Sequence, residues 1–185
     1  MKYGVISVFV IFVLISFSFA SCSSAPAAVE EPEDKTAVVI SSNDFEDSQL
    51  EPWVARGEGV SVEVSNAFAH SGSFSVYVSG RTQNWNGVQA DLLSLIASGK
   101  NYHFSVWVYQ NSGESKNMYL TVERTYKGDK NWDRVAEISV PSGEWVELSG
   151  DYSVPRKDVS EFVLYVEAED ATLDFYIDDV FLSKM

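Results

Sequence analysis

A single cysteine, Cys22, stands in a chain of 185 residues, so no disulfide can form within it. The two histidines, His70 and His103, are equally isolated, and no His or Cys cluster is present that could hold a transition metal. Basic residues are scarce: 13 Lys and Arg face 27 Asp and Glu, a formal charge of −14. A chain this acidic repels phosphate backbones, which argues against nucleic acid as a partner. The sequence also lacks a phosphate loop and a Ser-centred elbow. Long helical periodicity is missing as well; Leu92 to Ala97 allows one short turn, which Gly99 ends.

The N-terminus carries what the rest lacks, a long apolar run. Lys2 precedes an almost uninterrupted stretch from Gly4 to Ala20, and Phe19-Ala20-Ser21-Cys22 then places small residues directly before the cysteine. The run is long enough to cross a bilayer, yet a small-residue cleavage site follows it rather than a Lys or Arg stop. Residues 1–21 therefore read as a lipoprotein export signal, with Cys22 the lipidated mature N-terminus. Lipidation would dispose of an otherwise free thiol in an exported protein. The expected location is a membrane surface outside the cytoplasm, the outer membrane if the cell has one. Phe19 stands where lipobox motifs usually carry Leu, so plain secretion is the alternative, beside an uncleaved membrane anchor.

Residues 22–41 read as a solvated tether: Ser, Ala, Pro and Glu dominate, with Glu30, Glu31, Glu33 and Asp34 bunched around Pro26 and Pro32. Residues 42–185 are then one domain, large enough to bury a core without disulfides and expected to be a monomer. Its dominant signal is alternation with a period of two, broken every ten residues or so by Gly, Pro, Asn, Asp and Ser. Strands are expected at 60–64, 74–78, 87–93, 102–110, 118–124, 134–140, 145–152, 162–167 and 173–182. Many short strands without a helix predict an all-β domain, a β-sandwich jelly roll of two antiparallel sheets. In the fourth strand one face carries Tyr102, Phe104, Val106 and Val108, and the other His103, Ser105, Trp107 and Tyr109. Two aromatics on the second face exceed what a solvated face usually shows. Trp107 is either core or part of a groove.

Four segments carry a resemblance. Trp53-Val54-Ala55-Arg56-Gly57, then Gly80-Arg81-Thr82-Gln83-Asn84-Trp85-Asn86-Gly87-Val88-Gln89, then Leu164-Tyr165-Val166-Glu167, and finally Leu173-Asp174-Phe175-Tyr176-Ile177-Asp178-Asp179 resemble the signature segments of family 22 carbohydrate-binding modules, which accompany xylanases. They occur in the family's order and extend the resemblance over residues 43–182. Families 4 and 9 share the fold and are the nearest competing assignment. The resemblance implies a concave sheet that binds a β-1,4-linked, xylan-like chain, without catalysis and alongside separate glycoside hydrolases. By motif, Trp85 would be the stacking platform, Tyr165 a second aromatic wall, Glu167 a hydroxyl acceptor and Arg56 a donor, with Asn86 beside Trp85. Such residues suit sugars, whose apolar C–H faces stack on aromatic rings while their hydroxyls need paired donors and acceptors. Arg124 stands on the strand where family members carry a further cleft aromatic, with Tyr126 displaced by two, and Val163 replaces another aromatic. Trp85 could instead be core, Arg56 could simply close a loop, and Glu167 could be a surface acid.

The resemblance also implies a structural calcium ion held by Glu46 and Asp178, with Asp44 beside them and carbonyls of residues 70–72. An all-oxygen set of this kind suits calcium. Two other functional classes stay in view. A glycoside hydrolase needs two carboxylates across a cleft; Glu123 and Glu167 could supply them, although the Glu-X-Asp-X-X-Glu pattern common in sandwich glycosidases is absent. A structural or protein-adhesion sandwich would not need Trp85, Tyr165 and Glu167 exposed on one face.

Anchoring through acyl chains at Cys22 predicts that a Cys22→Ser variant partitions into the soluble fraction while the parent chain stays with membranes or detergent. Equal partitioning of the two would rule out the lipid anchor.

Overall fold

The alternation of apolar and polar residues is realised as strands throughout. The computed structural model describes residues 37–185; the expected signal, Cys22 and the tether up to residue 36 lie outside the described residues. Eleven strands follow one another: β1 (Val38–Asn43), β2 (Trp53–Arg56), β3 (Ser61–Ser65), β4 (Ser75–Ser79), β5 (Gly87–Asp91), β6 (Asn101–Tyr109), β7 (Lys116–Tyr126), β8 (Asp129–Val140), β9 (Val146–Ser153), β10 (Val159–Ala168) and β11 (Phe175–Lys184). They form two sheets, one in the order β3-β4-β11-β6-β9 with β1 also on β11, the other in the order β2-β5-β10-β7-β8. All strand pairs are antiparallel. The expected β-sandwich is the observed fold, and the described residues contain no helix.

Between the sheets lies one core. Val76 and Val78 of β4, Phe104, Val106 and Val108 of β6, and Phe175 and Ile177 of β11 face Val88 and Ala90 of β5, Leu120 and Val122 of β7, and Leu164 and Val166 of β10. Each large apolar side chain so buried contributes about 1.5–3 kcal/mol before chain entropy is counted. Residues 37–185 thus carry their own core and can fold as an independent unit.

Two irregularities shape the sandwich. In β11 the register shifts between Asp178 and Phe181, with Asp179 at φ 44°, and there the neighbour changes from β4 to β1. In β8 Val135 is the extra residue between Arg134, opposite Thr121, and Ala136, opposite Leu120. Such a bulge bends its strand. It brings β8 toward β9, where a Cβ on Gly150 would sit 2.5 Å from the Val135 carbonyl oxygen.

The structure corrects the sequence reading in three places. Residues 38–41, expected in the tether, belong to β1 and pair with β11. The strand expected from Arg134 begins five residues earlier, at Asp129. β2 was not expected as a strand; it is only four residues long and carries the first of the four resemblance segments.

Candidate functional site

The β2-β5-β10-β7-β8 sheet turns one face to the core and the other to solvent, and parity assigns each side chain. On β10, Phe162, Leu164, Val166 and Ala168 are core, so Tyr165 and Glu167 face outward. On β7, Met118, Leu120 and Val122 are core, so Tyr119, Thr121 and Glu123 face outward. Register then places Trp132 opposite Glu123 and Arg134 opposite Thr121. Arg56 lies opposite Gly87 at the other edge of the sheet.

Arg56 organises the middle of this face. Its Nη1 donates to Gln89 Oε1 at 2.7 Å and its Nη2 to Glu123 Oε2 at 2.6 Å, and its guanidinium lies 3.8 Å from the centre of the Tyr165 ring. Trp132 Nε1 donates to the same Glu123 oxygen at 3.1 Å, while Lys130 binds the other. Burial pushes the Glu123 carboxyl up, but hydrogen bonds from Lys130, Arg56 and Trp132 outweigh it and hold the group at about 2. Further along the face, Thr121 Oγ1 donates to Glu167 Oε1 at 2.9 Å, and Arg134 lies 3.6 Å from that oxygen and 3.6 Å from the centre of the Tyr119 ring. Burial raises the Glu167 carboxyl above its ordinary value against these partners.

The wall beside Arg56 is a loop held from within. Arg81 is buried, and its guanidinium donates five hydrogen bonds to main-chain carbonyls of Asn84, Asn86, Ala168, Asp170 and Leu173. Asn86 Oδ1 accepts from the amides of Thr82 and Gln83 at 3.1 and 3.0 Å. Gly57, at φ 112°, leaves room for the Asn86 amide, which a Cβ there would meet at 1.9 Å. With Arg81 and Asn86 both spent inward, Trp85 projects outward and is 47% exposed. Trp85, Trp132, Arg56 and Tyr165 together line a concavity of about 460 Å³.

Of the expected binding residues, Arg56, Trp85, Tyr165 and Glu167 share this face. Trp85 is not core, Arg56 does more than close a loop, and Glu167 is buried in the floor rather than a surface acid. Tyr165 also lies in the floor, covered by Arg56, instead of forming a free wall. Two assignments are corrected. Asn86 is 1% exposed and holds its own loop. Arg124 shares parity with Leu120 and Val122 and pairs with Phe162, so it points away from the concave face, where its Nε donates to Asp133 Oδ2 at 2.7 Å and to the Tyr152 hydroxyl at 3.1 Å. The sequence reading missed Trp132, 57% exposed on the concave face. Its alternation with Arg134, the first residue of the expected strand, is only a hint; that Trp132 stands opposite Glu123 follows from register.

Glu46 and Asp178 converge on one loop. Glu46 Oε1 accepts from the amides of Ser73 and Phe74, both at 2.8 Å, and Asp178 Oδ2 from those of His70 and Ser71 at 2.8 and 3.2 Å. Asp44 accepts only from the nearby Glu46 amide. Among the described residues no group of three His, Cys, Asp or Glu side chains is gathered, so a cation here would draw most of its ligands from carbonyls. Both carboxylates are met by main-chain N–H groups, and Glu46 and Asp178 are the two oxygen ligands that would hold a hard cation such as calcium, with carbonyls completing its shell.

Exposed indoles on a concave sheet, with a planar cation, amide and carboxyls beneath them, define a sugar-binding β-sandwich. The model of the carbohydrate binding domain family CBM_4_9 matches residues 37–172. The chain belongs to this family, and the solved structures it resembles place it with the family 22 modules. The CBM22-1 xylan-binding domain of Paenibacillus barcinonensis Xyn10C is 31% identical, with a TM-score of 0.75 over 80% of this chain and 95% of that one. The C-terminal family 22 module of Clostridium thermocellum Xyn10B is 29% identical, with a TM-score of 0.74 over 79% of this chain and 92% of that one. Endo-1,4-beta-xylanase A of Thermotoga maritima is 39% identical over 152 residues, which are 80% of this chain but 14% of that enzyme.

The Glu123 cluster generates a pH signature. Its folded value, about 2, lies below the ordinary 4.5, so its contribution is fully present above pH 4.5 and lost as pH falls toward 2. Denaturant unfolding of residues 37–185 should therefore show wild type losing more stability between pH 5 and pH 3 than Glu123→Gln. Parallel losses in the two proteins would mean that the cluster does not stabilise the folded state.

Proposed function

We propose that this chain binds a β-1,4-linked xylan chain, without catalysis, along the concave face of the β2-β5-β10-β7-β8 sheet. The observation that carries the reading is the pair of exposed indoles, Trp85 and Trp132, flanking the Arg56–Tyr165 layer in one open concavity. Xylan as the polymer is supported by relatives named as xylanases and xylan-binding domains; mixed-linked glucan is the competing ligand. In this reading the sugar stacks on the indoles, and Gln89, Glu167 and Arg134 meet its hydroxyls.

Hydrolysis is disfavoured by spacing. Glu123 pairs with Val163, four residues along β10 from Glu167, which separates the two positions by roughly 13 Å along the strands. Both Glu123 oxygens are also engaged by Arg56, Trp132 and Lys130. The module would hold polysaccharide outside the cell, lipid-anchored through Cys22, for separate glycoside hydrolases. Calcium bound by Glu46, Asp178 and carbonyls of the 70–72 loop would tie both ends of the domain together.

Two experiments test this. In affinity electrophoresis of residues 37–185 against xylan, mixed-linked glucan, mannan and soluble cellulose, xylan should retard wild type most. Trp85→Ala and Trp132→Ala should each weaken binding by about 5- to 150-fold, the worth of one stacked ring at about 1–3 kcal/mol, with near-native melting. Wild-type binding by either variant would remove the cleft assignment. For the cation, metal-stripped protein should melt higher with calcium than with chelator; coincident melting curves would exclude the calcium site.

A further inference from the structure

The concave cleft leaves unused the aromatic face that alternation singles out on β6. Trp107 and Tyr109 belong neither to the core nor to the cleft; they lie on the outer face of the other sheet. His70 stacks on Trp107 at 3.7 Å, and Phe68 stacks on Tyr109 at 4.6 Å. The layer continues across β11 and β4, where Phe68 meets Tyr176 at 5.2 Å and Tyr176 meets Tyr77 at 4.7 Å. A layer that merely sealed the sheet would close upon itself. This one ends instead in a hollow of about 410 Å³, close to the 460 Å³ of the cleft. Phe68, Tyr77 and Tyr176 line it with Asn111, Thr172 and Asp174. Phe68 is 37% exposed there, and both tyrosines are partly exposed.

The chemistry of the lining narrows the ligand. The Tyr77 hydroxyl donates to Asp174 Oδ2 at 2.9 Å, and the second Asp174 oxygen has no hydrogen-bond partner among the described residues. Burial, then the Asp174 hydrogen bond, push Tyr77 up to about 12, so it stays a donor at any physiological pH. No Lys or Arg lines the hollow, whereas two carboxylates, Asp170 and Asp174, do; Asp170 is paired with Lys116 at 2.9 Å, and Glu63 stands opposite Tyr77 on β3. Such a potential repels phosphates, uronates and other anions. What remains is a neutral molecule with an apolar face for the rings and hydroxyls for Asp174, Asn111 and Thr172.

We propose that this hollow is a second saccharide site, for one or two neutral sugar units, on the opposite face of the sandwich from the cleft. It does not depend on the cleft binding sugar. With both sites filled, one domain can hold two chains, or two stretches of one chain, and gain avidity from the second contact.

Titration of ¹⁵N-labelled residues 37–185 with xylohexaose, cellohexaose and mannohexaose, followed by NMR, tests the assignment. At least one oligosaccharide should shift amides of Tyr77, Asn111, Thr172 and Tyr176, in wild type and equally in the cleft variant Trp85→Ala/Trp132→Ala. Tyr176→Ala should abolish those shifts, and Asp174→Asn should weaken them about tenfold through the lost charged acceptor. Should Tyr176→Ala fail to fold, Asp174→Asn decides alone. Silence of the hollow amides at millimolar oligosaccharide, or shifts indifferent to Asp174→Asn, overturns the second site while leaving the cleft standing. Shifts confined to the hollow, with none around Trp85, overturn the cleft reading instead.

Discussion

A buried cation with no carboxylate partner holds the functional end of this domain together. Arg81 spends all five guanidinium hydrogen bonds on main-chain carbonyls: two in its own loop, one at the end of β10 and two in the β10–β11 connection. Burial works against its charge and lowers its pKa, while Asp170, Glu167 and Asp174 support it from a distance. The geometry survives because each carbonyl would otherwise be left without a donor in a dry setting. Both aromatic sites hang from it. The loop on one side presents Trp85 to the cleft, and the connection on the other carries Asp170, Thr172, Leu173 and Asp174 into the hollow. A neutral side chain at position 81 would loosen both rims at once.

The cleft floor uses the opposite device, a cation paired directly with a carboxylate. Arg56 is clamped between Gln89 and Glu123 and lies flat on Tyr165, so the phenol ring is not itself available for stacking. A ligand therefore meets a layered floor of guanidinium on phenol, with indoles at the two sides. The arrangement carries a cost, because Arg56 Nε is buried without a partner. Such unpaired groups belong to sites whose geometry is fixed for function rather than stability. Fixing the guanidinium beforehand lowers the entropy that binding must supply.

Most of the sandwich was legible because its strands alternate cleanly. What escaped was local. β1 is short and follows an acidic, Pro-containing stretch that hides Val38 and Val39 in the composition of a tether. β2 is only four residues, and exposed Val54 and Ala55 blur its alternation. The cleft was legible where a motif marked it, as at Trp85 and Glu167, and illegible where only register could. Trp132 lies in a polar run, and nothing local says that it stands opposite Glu123. Arg124 shows the converse, since its parity with Leu120 and Val122 already set it on the core side. The buried role of Asn86 was out of reach from sequence, because it depends on Gly57, twenty-nine residues away, giving up its side chain.

Charge explains why the site can be aromatic in so acidic a protein. The arginines of the cleft are not free positive patches: Arg56 is spent on Glu123, and Arg134 lies beside Glu167. Each pair brings a cation and an anion into the same face and leaves little net field along the cleft. A charged polymer would gain nothing from steering there and would be opposed by the excess of acid over the rest of the surface. Recognition then falls to stacking and to short-range hydrogen bonds, which act on a neutral ligand and are barely screened by salt. Affinity that rests on contact rather than on field scales with the number of rings engaged. An open cleft with platforms at both ends therefore suits a long, uncharged, repetitive chain better than a compact partner.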